Sequence, residues 1–295
     1  RARKHLVCLA QTPFYFITAR CVRRAFLCGK DRLRGKCYEH RRGWIETRLR
    51  ALSSLFTIEV CAYAIMSNHY HLVVRLNIED ASKWSTDEVL KRWTSLFKGS
   101  LLTHRYLAGD ALSGAELQTV DDTACVYRQR LTSLSWFMKC LNEPIARRAN
   151  AEDQCTGHFW EARFHSRALI GNDALINAMM YVDLNPIRAK MAATLEDSAY
   201  TSVRARLAPE QPESSISDAI RRLITDGDLF HFDVAVRPLA TFATGSATSD
   251  KHAHLPIQWP DYLDRLHAIG ATPGAGKRGV IDLHAQLKQA KRPQA

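Results

Sequence analysis

The sequence predicts an α+β protein in which a small antiparallel sheet is covered on one side by helices. Three observations carry this. Hydrophobic residues make up 46% of the 295-residue chain and charged residues 24%, the balance of a folded globular protein. Two β-prone runs, residues 57–65 and 69–76, are separated only by Met66, Ser67 and Asn68, the spacing of a hairpin. Segments of helical apolar period alternate with these strands in the order β-α-β-β-α, followed by further helix, strand and helix.

Residues 13–19 (PFYFITA) form an aromatic and β-branched run that reads as the first strand. Residues 20–42 are dense in Lys and Arg, with Asp31 and Glu39 as the acids, and are expected to be exposed and to face a phosphate backbone. Trp44, Ile45, Leu49, Leu52 and Leu55 recur at helical spacing within residues 43–56. Ser85-Thr86-Asp87-Glu88 matches a capping box before Val89, Leu90, Trp93 and Phe97. Residues 98–127 read as irregular. A helix is predicted over 129–149, kinked or shortened by Pro144. Residues 158–165 read as a strand or extended binding segment. Asn172 and Asp173 can open a helix running through Leu184, with Pro186 marking its end. Residues 208–215 (APEQPESS) read as a linker, dividing a domain at 1–207 from an extension at 208–295. The extension holds two short apolar stretches, 216–224 and 259–266, between small polar segments, and is expected to be partly flexible.

The net charge is +11 and the pI about 9.4. Residues 208–295 carry ten basic and ten acidic side chains, so the whole excess falls on residues 1–207. Such a field favours polyanionic partners, nucleic acid before acidic membrane. No apolar run approaches the ~18–20 residues that span a bilayer, and no signal segment with a cleavage site is evident, so secretion is not expected. The eight cysteines form no CxxC pair, which argues against a zinc ribbon and for free thiols in a reducing cytoplasm. Gly274-Ala275-Gly276-Lys277-Arg278 imitates a P-loop but has Ala271 at its first glycine position and no Ser or Thr after the lysine. HExxH and GxSxG are absent, so zinc-protease and α/β-hydrolase chemistry lack their motifs.

Two constellations bear chemistry. In Ser67-Asn68-His69-Tyr70-His71-Leu72, strand alternation turns His69 and His71 to one face, where two imidazoles could share a cation; the same spacing also suits two surface histidines on an edge strand. In Tyr181-Val182-Asp183-Leu184-Asn185, Tyr181 and Asn185 lie one helical turn apart on one face and Asp183 points elsewhere. A half-buried tyrosine and a helix stop before Pro186 would look alike.

Five fragments taken together resemble the REP-associated tyrosine transposases, single-tyrosine members of the HUH transposase superfamily. They are Cys21-Val22-Arg23-Arg24-Ala25-Phe26-Leu27, Met66-Ser67-Asn68-His69-Tyr70-His71-Leu72, Leu141-Asn142-Glu143, Phe159-Trp160-Glu161-Ala162-Arg163-Phe164 and Tyr181-Val182-Asp183-Leu184-Asn185-Pro186, in family order over residues 5–207. The resemblance implies a ferredoxin-like sheet, a site in which His69, His71 and Asn185 hold Mg²⁺ or Mn²⁺, and Tyr181 as nucleophile. The activity implied is nicking and joining of single-stranded DNA at palindromic hairpins through a 5′-phosphotyrosine, in a cytoplasmic, nucleoid-associated protein. Where the family has Arg and Lys, this chain has His158 and His165, which leaves the DNA contacts of that segment open. Arg23, Arg24, Arg41, Arg42 and Arg163 are the phosphate contacts expected, and Trp160 a surface on which a base could stack. A hairpin-binding protein that does not cut is the alternative, and monomer and homodimer are both left open.

Overall fold

Alternation along β1 (Phe14–Arg20) sets the architecture. Tyr15, Ile17 and Ala19 are buried on one face of the strand, and Phe14, Phe16 and Thr18 are half-buried on the other. The computed structural model describes residues 7–22, 27–31, 35–208, 213–244 and 254–271. A two-strand ribbon, β2 (Lys30–Asp31) and β3 (Lys36–Cys37), leads into α1 (His40–Leu55). The hairpin of β4 (Ile58–Ile65) and β5 (His69–Leu76) follows, its turn closed by Met66 N–H donating to the His69 carbonyl at 2.8 Å. A register shift between Val60 and Ala62 marks a bulge in β4, and Arg206 donates to the Cys61 carbonyl there at 2.8 Å.

Helices α2 (Thr86–Leu96), α3 (Leu101–Leu107), α4 (Gly114–Leu131) and α5 (Leu134–Glu152) come next. The short β6 (His165–Ala168) joins the sheet, and α6 (Asn172–Asp183), α7 (Asn185–Arg188), α8 (Ser202–Leu207), α9 (Glu213–Thr225) and α10 (Trp259–Ala271) complete the chain. The sheet order is β4-β5-β1-β6, every neighbour antiparallel, so the protein is α+β as expected.

The helical cover differs from the expectation of one side. Tyr15, Ile17, Tyr70, Leu72 and Val74 pack with Ile45 and Leu49 of α1, Val89 and Leu90 of α2 and Phe137 and Leu141 of α5. Phe14, Phe16, Ala62, Ala64 and Val73 pack on the opposite face with Leu175, Ile176 and Met179 of α6 and Tyr262 and Leu266 of α10. The cause lies in the central strands, where all of β5 after His69 is buried; a sheet buried on both faces needs two layers of cover.

The chain beyond residue 207 enters both layers. Ile220, Leu223 and Leu229 join the first cluster, and Ala240, Leu255, Ile257, Tyr262 and Leu266 the second. Ala240 N–H donates to the Val60 carbonyl at 2.9 Å and Arg237 N–H to the Ser54 hydroxyl at 2.8 Å. Residues 209–212 of the linker predicted at 208–215, and most of the small polar segments, lie outside the described residues, and residues 213–215 open α9.

Two further expectations change. Residues 98–127, read as irregular, contain α3 and most of α4, and α4 opens on a capping box between Ser113 and Glu116. Its buried residues are only Val120, Ala124 and Leu131, too thin a stripe to register as a helical period. In α5 the helix runs through Pro144. Proline has no N–H to donate to the carbonyl four residues back, and the Cys140 carbonyl instead accepts from Arg48 Nε at 2.6 Å. Arg48 thus caps the gap from the neighbouring helix.

Candidate active site

The half-buried face of β1 and the same face of β5 form a floor roofed by α6. Strand pairing sets Arg20 opposite His69, Thr18 opposite His71 and Phe16 opposite Val73. Residues directly opposite in an antiparallel pair share a face, so both imidazoles stand beside Phe16 and Thr18. The His69 and His71 ring centroids are 4.6 Å apart at 82°. Phe16 stacks on His71 at 5.4 Å and 27°. Tyr181 descends from α6 onto the same ring: its centroid is 5.4 Å from His71 at 75° and 6.0 Å from Phe16. Two strand residues and a helix residue more than a hundred positions later are therefore in contact within one chain.

The electrostatics suit a neutral imidazole at His69. Burial pushes His69 down to about 4, with the positive charge of Arg20 adding to the effect. Near pH 7 this ring is uncharged, the form in which histidine ligates a metal. His69 Nδ1 lies 2.6 Å from Asn68 Oδ1, and His71 Nδ1 lies 3.1 Å from Thr18 Oγ1.

The donor set fits a divalent cation. Two adjacent imidazoles supply nitrogen ligands that transition ions such as Mn²⁺ accept. Among the described residues no group of three or more His, Cys, Asp or Glu side chains could hold a metal, so within them a third protein ligand would be of another type. Asn185 opens α7 one turn after Tyr181, and its Nδ2 is buried with no hydrogen-bond partner among the described residues. Amide oxygen and nitrogen positions are interchangeable by a flip, so a buried carboxamide end without a partner is compatible with an oxygen ligand at this position.

The expected DNA contacts divide. Arg23 and Arg24 lie outside the described residues. Arg41 is corrected: only 1% of its side chain is exposed, and it is paired to Glu152 at 2.8 Å and Asp153 at 2.6 Å beneath the Tyr38 ring. A guanidinium enclosed by two carboxylates is not offered to phosphate. Its role is to tie α1 to the end of α5, and Arg41→Ala is expected to cost about 2 kcal/mol in chemical denaturation while leaving DNA affinity unchanged. Arg42 is also buried, against Glu39 at 3.0 Å. It lines a cavity of about 490 Å³ that also takes in Lys30, Ser67, Pro186 and Asp197. Trp160 is half-buried, its indole N–H donating to the Asn142 carbonyl at 2.9 Å and its ring edge-on to Tyr70. Tyr70 belongs to the opposite face of the sheet, so Trp160 serves the packing beneath the floor and does not border the imidazoles. Arg163 is exposed.

Sequence reasoning missed Phe16, Thr18 and Asn68, and took in Arg20 only as the first residue of the basic stretch 20–42. Arg20 is about 60% exposed across from His69 and is better placed for phosphate than Arg41. His165 and Arg167 sit opposite Thr18 and Phe16 on the other side of β1 and extend the same face.

The fold and site together define an α+β protein whose antiparallel sheet presents paired imidazoles to a helix-borne phenol. No protein-family profile matches the chain, and no curated protein matches it. Its structure is similar to a solved REP-associated tyrosine transposase bound to a REP hairpin, at 12% sequence identity and a TM-score of 0.33 over 83% of this chain and 92% of that one. Among the described residues no helix is long and apolar enough to cross a membrane.

Proposed function

We propose that the protein nicks and rejoins single-stranded DNA next to palindromic hairpins by transesterification, with Tyr181 as nucleophile and His69, His71 and Asn185 as ligands of Mg²⁺ or Mn²⁺. The observation that carries this reading is the approach of Tyr181 to His71, 5.4 Å between ring centroids, with His69 a further 4.6 Å along the strand. Tyr181 Oη would attack the scissile phosphorus and displace the 3′ oxygen, which leaves as a hydroxyl once protonated, while the 5′ phosphate stays on the tyrosine. One ester replaces another, so no nucleoside triphosphate is consumed. A bound cation supplies Lewis acidity to the phosphate oxygens, an effect worth several kcal/mol in metal-assisted reactions.

The residues around the pair have matching tasks. Phe16 holds the His71 and Tyr181 rings by stacking and edge contact. Arg20 and Arg167 flank the floor on adjacent strands and offer positive charge to a phosphate backbone. The hairpin substrate follows from the five sequence fragments that resemble the REP-associated family and from the basic excess on residues 1–207.

The test is incubation of a 5′-overhang hairpin, labelled at its 3′ end, with the protein and Mn²⁺. A denaturation-resistant protein–DNA adduct is expected, lost with EDTA and lost in Tyr181→Phe while hairpin binding persists. Hairpin binding with no adduct under any divalent metal would leave the non-cutting alternative as the function.

A further inference from the structure

We infer that Thr18 and Asn68 are positioning residues that hold His71 and His69 by Nδ1, so that both rings present Nε2 to one divalent cation. The inference rests on the ligand role proposed above for the two histidines and adds the groups that orient them.

An imidazole can turn over about its outer torsion, exchanging Nδ1 with a ring carbon, and its proton can sit on either nitrogen. Two such rings converge on one cation only if both are fixed in orientation and in tautomer. Metal-ligating histidines ordinarily meet this need by engaging the second ring nitrogen with an oxygen acceptor. Both rings have that partner here. His71 Nδ1 lies 3.1 Å from Thr18 Oγ1 and His69 Nδ1 lies 2.6 Å from Asn68 Oδ1. A carboxamide oxygen only accepts, so with Asn68 Oδ1 as its partner His69 Nδ1 carries the proton and Nε2 keeps its lone pair; for His71 the inferred arrangement is the one in which the Thr18 hydroxyl, which can donate or accept, accepts from Nδ1.

The two partners are themselves fixed by the fold. Thr18 is the residue directly opposite His71 in the β1–β5 register, so the hydrogen bonds that close the sheet also deliver its hydroxyl. The Asn68 carbonyl accepts from Cys21 N–H at 3.0 Å, which pins the turn that carries its side chain. Phe16, stacked on His71, obstructs rotation of that ring. Neither Thr18 nor Asn68 is a ligand in this arrangement, since each is spent on the ring nitrogen that faces away from the cation.

The experiment is Mn²⁺ titration of the metal-stripped full chain, read by the spin-resonance signal of free Mn²⁺, for the wild type, Thr18→Val, Thr18→Ser, Asn68→Ala and His71→Ala. Thr18→Val and Asn68→Ala are each expected to weaken Mn²⁺ about ten- to a hundredfold, whereas Thr18→Ser, which keeps the hydroxyl, stays within about threefold of wild type. Long-range proton–nitrogen NMR of the metal-free chains supplies a readout that a packing role would not move. His71 is expected to be Nδ1-protonated in the wild type and Thr18→Ser, and to populate the other tautomer in Thr18→Val. Wild-type affinity in both Thr18→Val and Asn68→Ala, with affinity lost in His71→Ala, overturns this inference and leaves the ligand assignment standing. An equal loss in Thr18→Ser and Thr18→Val also overturns it. Undiminished Mn²⁺ binding by His71→Ala removes the ligand assignment and this inference together.

Discussion

A mixture of Tyr181→Phe and His71→Ala chains is expected to form no covalent DNA adduct, although each chain retains the group that the other has lost. In the structure the phenol and the imidazole meet inside one chain, with α6 laid directly over β4 and β5 and Met179, Leu175 and Ile176 packed into the sheet. To lend Tyr181 to a second copy, α6 would have to leave this cover. Leu175, Ile176, Ala178, Met179, Met180 and Val182 are all buried, and exposing a single large apolar side chain costs roughly 1.5–3 kcal/mol. A chain acting alone has nothing to offset that cost; only a second copy offering α6 the same cover would return it. The assay is adduct yield at equal total protein for each variant alone, for the mixture and for the wild type. Adduct in the mixture at a substantial fraction of the wild-type yield would mean that two copies exchange α6 and that the site is built between them.

Loss of the Asp183 carboxylate is expected to be among the most destabilising single changes, at about 3 kcal/mol for Asp183→Ala. Asp183 is completely buried two residues after Tyr181, on the side of α6 turned away from the imidazoles. Its carboxylate accepts from the Ser202 hydroxyl, from Val203 N–H at 3.0 Å and from the Tyr262 hydroxyl at 2.7 Å. Burial raises its pKa, and Arg206 and the three donors oppose that rise. Alanine would leave buried donors without an acceptor, each worth about 1–3 kcal/mol, partly offset because a carboxylate no longer has to be desolvated. Ser202→Ala and Tyr262→Phe remove one donor each and are expected to cost about 1 kcal/mol apiece. Urea unfolding of the four proteins gives the comparison. Because the bonds join α6 to α8 and α10, Tyr262→Phe measures how firmly the segment after residue 207 holds the helix that carries Tyr181, and Ser202→Ala measures the hold of α8.

The part of the site that is local was legible in the sequence. Strand alternation alone set His69 and His71 on one face, and helical spacing set Tyr181 apart from Asp183, which the structure buries on the far side. The meeting of strand and helix was not legible, because no spacing relates residue 71 to residue 181; only the resemblance of ordered fragments joined them. Phe16 and Thr18 stayed hidden for the same reason: their neighbours are fixed by the β1–β5 register, a long-range pairing. Arg41 was misread because composition counts a charge without its partners. Glu152 and Asp153, which enclose it, lie more than a hundred residues away. Trp160, expected as a surface on which a base could stack, is half-buried, with its indole N–H on the Asn142 carbonyl and its ring edge-on to Tyr70, partners that no local spacing announced. The stretches around 220 and 260 read as an appendage because each is too short to form a core alone. The first is buried against α1 in one cluster and the second beside α6 in the other.

The central claim is that Tyr181 becomes joined to a DNA 5′ phosphate in a reaction that needs the two histidines. Tandem mass spectrometry of the nuclease-trimmed adduct formed with Mn²⁺ tests it most directly. The account requires the deoxynucleotide phosphate on the peptide containing Tyr181, with no modified peptide in His69→Ala or His71→Ala chains that still bind the hairpin. A phosphate found on another side chain, or modification of Tyr181 at the wild-type level in both histidine variants, contradicts it.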